Sequence, residues 1–174
     1  MAFTEQDATG LIADANAYIS LIFFKAYVLD RGTDHSATAD ATLQVAIVKA
    51  TDYVDTRYRF KGLKLNPHTT QTTEWPRSYV YDRDSDLVEG IPVALKEAVA
   101  ELALLALTQS LYTTPAAVAG GGQVTREKHK IGPLEDEYVY ANSGAQQPRS
   151  FPDADRKLSV AGLIDTSGGQ TVRA

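Results

Sequence analysis

Residues 91–112, IPVALKEAVAELALLALTQSLY, decide the fold. Twelve of the fifteen residues from Val93 to Leu107 are apolar, and no Gly or Pro interrupts them. Such a run predicts a long, mostly buried helix. Pro92 suits the first helical turn, where an amide hydrogen has no intrahelical partner, so the start falls near Gly90 to Pro92. Twenty residues would span roughly 30 Å, the width of a small domain. Lys96, Glu97 and Glu101 are its few charged positions, a stripe facing solvent or a neighbouring subunit. Three charges in one and a half turns also argue against a membrane span.

Upstream lies a long loop, NPHTTQTTEWPRSYVYDRDSDLVEG, rich in Pro, Thr and Asp and holding the only Trp, Trp75, before Pro76. A loop of this length carries function or an interaction surface. Its second half is acidic, with Asp82, Asp84, Asp86 and Glu89 against Arg83. Before it, RYRFKGLKL places Arg57, Arg59, Lys61 and Lys64 among Tyr58, Phe60 and Leu63, and no acid occurs between Thr56 and Thr73. Leu43, Ala46, Ile47, Ala50, Tyr53, Val54 and Tyr58 recur at three-and-four spacing, the mark of an amphipathic helix, for which Asp40 is a candidate cap. An earlier helix begins at Ser20, whose hydroxyl can cap it, and stops at Gly32. Residues 1–17 show no period and form an N-terminal arm or an irregular lead-in.

Downstream, the Gly120–Gly122 triplet marks a flexible connector. Two runs flank Ile131, Gly132 and Pro133, predicting a β-hairpin or two short strands over about 124–140. Phe151 and Pro152 introduce a short helix with Leu158, Val160, Leu163 and Ile164 as docking residues, and DTSGGQTVRA ends the chain as a polar tail. The expected fold is mainly α: a small helical bundle around the central 91–112 helix, with the hairpin and extended terminal arms. The domain division is 1–17 as arm, 18–163 as the folded domain and 164–174 as C-terminal arm.

The chain's 174 residues suffice for one domain with a real core. A net charge of −5 opposes a general affinity for nucleic acid but leaves room for a local basic face. The absence of Cys removes disulfides, thiol catalysis and thiolate zinc sites, and fits a reducing compartment. MAFTEQDATG lacks the charge and apolar run of a signal peptide.

Few constellations carry chemistry. His35, His68 and His129 lie far apart in sequence and are expected on the surface. The Gly triplet lacks the Lys-Ser/Thr of a phosphate loop. Glu97 and Glu101, four apart, could form an acid–base pair, but a solvated or intersubunit stripe accounts for them; Asp52 and Asp55 fall on the polar side of their helix. No nucleophile, base and oxyanion donor assemble, so neither an enzyme, a cofactor nor a metal is expected. The basic-aromatic run Arg57–Lys64 alone has the ingredients for nucleic-acid contact, cations for phosphate and rings for stacking. Its competing explanation is a helix end whose cations complement the last carbonyls and pair with the acidic 82–89 segment of the same or a neighbouring chain.

The strings ANAYISL (15–21), ATDYVDTRYRFKG (50–62), EWPRSYVYDRD (74–84), IPVALKEAVAELAL (91–104) and KIGPLEDEYVY (130–140) resemble, in order and spacing, the head–tail connector or adaptor (head completion) proteins of tailed bacteriophages, some described as DnaT-like single-stranded DNA-binding proteins. The resemblance implies a virion protein, assembled in the host cytoplasm, that forms a ring of twelve copies under the portal. That ring would extend the DNA channel, pass double-stranded DNA without sequence-specific contact, and hold the tail or next connector protein. Asp52, Tyr53, Arg57, Tyr58, Arg59, Phe60, Lys61, Gly62, Trp75, Pro76 and Arg77 match its motifs and would shape the protomer and its contacts with ring neighbours, with Asp82, Asp84, Asp86 and Glu89 as an acidic partner patch. Asp165, Thr166, Ser167, Gly168, Gly169, Gln170, Thr171, Val172, Arg173 and Ala174 would dock on the portal. The alternative is a single-stranded DNA-binding accessory protein using Arg57, Arg59, Lys61, Lys64 and the neighbouring rings.

Overall fold

The computed structural model describes residues 2–66, 71–112, 127–131, 134–138 and 150–165. Among them the protein is mainly helical. In chain order they form α1 (Leu21–Leu29), α2 (Asp40–Arg57), β1 (Leu63–Lys64), β2 (Arg77–Ser78), α3 (Val93–Ala106), β3 (Glu127–Ile131), β4 (Leu134–Tyr138) and α4 (Pro152–Val160). The strands make two antiparallel pairs, β1 with β2 and β3 with β4. Met1–Leu111 with Phe151–Ala174 make one compact unit and Tyr112–Ser150 another. The second holds the β3–β4 pair, in register from Glu127 opposite Tyr138 to Ile131 opposite Leu134, inside the expected 124–140 span.

In the first unit, periodicity translates directly into burial. Leu43, Ala46, Ile47, Ala50, Tyr53 and Val54 all face the core from α2. They meet Leu95, Ala98, Val99, Leu102 and Ala103 of α3, which also packs on α1 and α4. Small Ala side chains at 46, 50, 98 and 103 let the backbones approach closely. Tyr53 meets Phe151 edge-on at 5.3 Å, seating the chain entering α4.

The predicted 91–112 helix is shorter than its apolar run. α3 has 14 residues, fewer than the 18 of α2, and Pro92 is its N-cap rather than part of its first turn. At the other end the Thr108 amide and hydroxyl both donate to the Leu105 carbonyl, tightening the last turn. The chain then bends and buries Leu111. Asp40 likewise does not cap α2. Ala39 occupies that position, and the Asp40 carboxylate takes an ion pair from Lys25 at 2.6 Å.

Glu97 and Glu101 are engaged within the chain. Both are half-buried with partners in the same chain. Lys157 of α4 pairs with Glu97 at 2.8 Å, and the Tyr27 hydroxyl of α1 donates to Glu101 at 2.7 Å. Arg31 lies over the Tyr27 ring, 3.4 Å from its centroid, with Glu101 3.7 Å from its Nε. Burial, then the bond to Glu101, raises the Tyr27 hydroxyl pKa. This cluster ties α1, α3 and α4 together.

Residues 2–20 are an irregular lead-in packed on the core, not a free arm. Ala15, Ala17, Tyr18 and Ile19 are buried, and the Gln6 amide donates to the Ala17 carbonyl. Ser20 then caps α1 as the sequence suggests, its hydroxyl accepting the Phe23 amide at 3.1 Å. Removing this acceptor in Ser20→Ala is expected to lower stability by about 1 kcal/mol, read as a shift in the urea unfolding midpoint with unchanged slope.

Candidate functional site

The basic-aromatic run begins where α2 stops. Tyr58 caps the helix in extended conformation, ψ 140°, and the chain runs on to a bridge at Phe60 before bending at Lys61 and Gly62. Phe60 bridges Ile164 antiparallel, the Lys61 amide donates to the Leu163 carbonyl at 3.0 Å, and the Asp165 amide to the Arg59 carbonyl at 2.9 Å. Extended backbone sends alternate side chains to opposite faces. Phe60 therefore points inward, 6% exposed and edge-on to Trp75 at 5.7 Å, while its neighbours Arg59 and Lys61 are exposed.

Gly62 turns this edge into β1. Its φ is +70°, and a Cβ added there would lie 2.2 Å from the Ser78 carbonyl oxygen. β1 then pairs with β2, Leu63 opposite Ser78 and Lys64 opposite Arg77. Arg77 serves this turn with its whole guanidinium. Nε donates to the Lys61 carbonyl at 2.7 Å and Nη2 to the Gly62 carbonyl at 2.9 Å, while Nη1 reaches the Glu74 carbonyl and, at 2.7 Å, its carboxylate. Glu74 also accepts Lys64 at 2.9 Å.

Underneath is a polar pin. Asp55 of α2 accepts the Tyr18 hydroxyl and, at 3.1 Å, the Glu74 amide. The Tyr18 oxygen in turn accepts the Trp75 amide at 3.1 Å, and Trp75 is fully buried on a cis bond to Pro76. Burial pushes the Asp55 carboxyl up from 3.8 to about 7, against the two hydrogen bonds that hold it down. Burial first, then the Asp55 charge, raises the Tyr18 hydroxyl pKa strongly.

The two sequence motifs thus meet in space. Asp55, Tyr58, Arg59, Phe60, Lys61, Gly62, Glu74, Arg77 and Asp165 line one cleft of about 550 Å³. Tyr58 donates its hydroxyl to Asp155 at 2.6 Å, and burial followed by that bond raises its pKa. Tyr53 and Trp75 are core; Asp52 is exposed on α2, its carboxyl raised by partial desolvation. Within the chain, Lys64 pairs with Glu74 at 2.9 Å rather than with the acidic segment. Asp82 instead folds its own turn, accepting the Asp84 and Asp86 amides at 2.9 Å each. Glu89 is exposed. The proposed docking residues 166–174 and His68 lie outside the described residues. His35 stacks on Phe24 rather than standing free in a surface loop. Among the described residues no group of three or more metal-ligating side chains gathers, and no helix is long and apolar enough to cross a membrane.

The residues that sequence reasoning missed are Tyr79 and Tyr81. Both are exposed, while Val80 between them is buried. The signal was the alternation Tyr-Val-Tyr, which does not itself say which face is outward.

Two outcomes follow. Gly62→Ala should cost about 2–4 kcal/mol, combining left-handed backbone with a clash against fixed main chain, measured by urea unfolding. For Asp55, a folded-state pKa above the unfolded value means that the native protein holds the proton more tightly. Its stabilising contribution is present below about pH 4 and lost as pH rises through about 7, by at most about 4 kcal/mol. Unfolding midpoints between these pH values should therefore fall more steeply in the wild type than in Asp55→Asn.

A family model described as "Putative DnaT-like ssDNA binding protein" matches residues 1–174. No curated protein and no solved structure matches the chain. The family description names single-stranded DNA and neither a portal nor a tail. It overturns the head–tail adaptor function and favours the alternative reading of the basic run. The ring, portal and tail partners and the virion location follow from the adaptor resemblance alone. Matched along its whole length, the chain belongs to the family described as "Putative DnaT-like ssDNA binding protein".

Proposed function

We propose that the protein is an accessory factor that binds single-stranded DNA along the edge at residues 59–64, acting by binding rather than by catalysis. The observation that carries this reading is the outward aim of Arg59 and Lys61 from one extended edge. Neither enters an ion pair among the described residues, so both cations are available to phosphate. Lys64 is shared with Glu74 and Arg77 is spent on backbone carbonyls, so the edge offers two strong phosphate contacts rather than the four or five that a count of basic residues gives. Tyr58 and Phe60 hold the edge in place and do not present ring faces to bases.

A net charge of −5 makes this a local attraction within a repulsive whole, so binding should be weak and salt-sensitive. In fluorescence anisotropy with a labelled oligonucleotide, log K should fall linearly with log salt. Replacing both cations, Arg59→Ala with Lys61→Ala, should lower that slope by about 1.4, or 0.7 for each lost phosphate contact on a single strand. An unchanged slope, or no binding by the wild type at low salt, would refute the proposal.

A further inference from the structure

Tyr79 is unusual in three ways at once. It follows β2 directly, it is 70% exposed, and its φ is +59°, a left-handed conformation that a residue with a bulky side chain rarely adopts. Nothing in the core requires that conformation, because the ring faces solvent. Its place is nevertheless tightly set. Gly62 packs against the Ser78 carbonyl on one side, and the Val88 amide donates to the Val80 carbonyl at 2.9 Å on the other. The neighbouring Val80 is fully buried and anchors the backbone beneath the ring. Leu63, the partner of Ser78 in the strand pair, is also exposed.

The surrounding charges distinguish Tyr79 from Tyr81. Tyr81 bridges Leu87 and leads into the turn built by Asp82, Asp84 and Asp86, where phosphate would be repelled. Tyr79 instead adjoins the segment carrying Lys61 and Arg59. An exposed ring directly after the strand that pairs with the continuation of this segment can hold a nucleobase by its face while the cations hold its phosphate.

We infer that Tyr79 is the base-stacking platform of this edge, receiving one unstacked nucleobase while Lys61 and Arg59 hold the flanking phosphates. This deepens the single-stranded DNA reading and rests on it. Stacking uses the face that every base presents and that a duplex hides, so the site is tolerant of sequence and selective for single strands.

The test uses the full chain, a labelled thymidine oligonucleotide, an abasic oligonucleotide of the same length, and a matched duplex. Tyr79→Gly removes the ring and also relieves the left-handed backbone, so the variant should be at least as stable as the wild type in urea. It should bind the thymidine strand about tenfold or more weakly, while Tyr79→Phe binds as the wild type does. On the abasic strand, wild type and Tyr79→Gly should bind alike, which a purely structural role of Tyr79 would not produce. Failure of the wild type to bind the thymidine strand overturns the single-stranded DNA reading itself. Wild-type binding with no loss in Tyr79→Gly overturns only the stacking assignment, as does equal affinity for the duplex. Concentration-dependent self-association that Tyr79→Gly abolishes, with DNA affinity unchanged, assigns the ring to a second copy of the chain and overturns it as well.

Discussion

The carboxylate of Asp55 is the constraint on which the rest of the structure depends. It sits near the end of α2, two residues before the helix must hand the chain to an irregular segment. By accepting the Tyr18 hydroxyl and the Glu74 amide it joins three stretches far apart in sequence: the lead-in, the helix and the long loop. Trp75 can then be buried with its amide satisfied by the same tyrosine oxygen. Burying a polar group without its bonds is costly, and here the Tyr18 hydroxyl and the Glu74 and Trp75 main-chain amides all find partners within one cluster. With Trp75 fixed, Phe60 has a ring to pack on, and the Arg59–Lys61 edge acquires its inside and its outside.

The helices were legible because their information is local. Three-and-four spacing from Leu43 to Val54 names the buried face of α2, and Ser20 names the start of α1. The end of α3 was not legible, because Leu105, Leu107 and Leu111 are as apolar beyond the helix as within it. What stops the helix is a hydroxyl and a bend that serve burial elsewhere. The loop was hidden for a different reason. Its order comes from contacts across long separations, such as the Thr72 hydroxyl on the Ala15 carbonyl and the Gln6 amide on the Thr73 hydroxyl, which no spacing rule anticipates. The same holds for Glu97 and Glu101, whose partners Lys157 and Tyr27 lie on other helices.

The basic run illustrates how charge composition misleads. Counted along the chain, Arg59, Lys61, Lys64 and Arg77 make one cationic region. Folded, they divide the labour: Arg77 holds the turn, Lys64 balances Glu74, and Arg59 and Lys61 look outward. The adaptor resemblance rested on these same strings. The motifs it matched are largely a recipe for building the edge, and a recipe for an edge does not name its partner.

The pin at Asp55 has a consequence for motion. Glu74 and Trp75 lie outside any helix or strand, where amide hydrogens ordinarily exchange with solvent within seconds. Their amides are instead donated to acceptors enclosed by the core, and their release requires withdrawing a tryptophan from it. In deuterium oxide this short piece of loop would keep its protons on the timescale of the helices, a slow island in the chain's most irregular region.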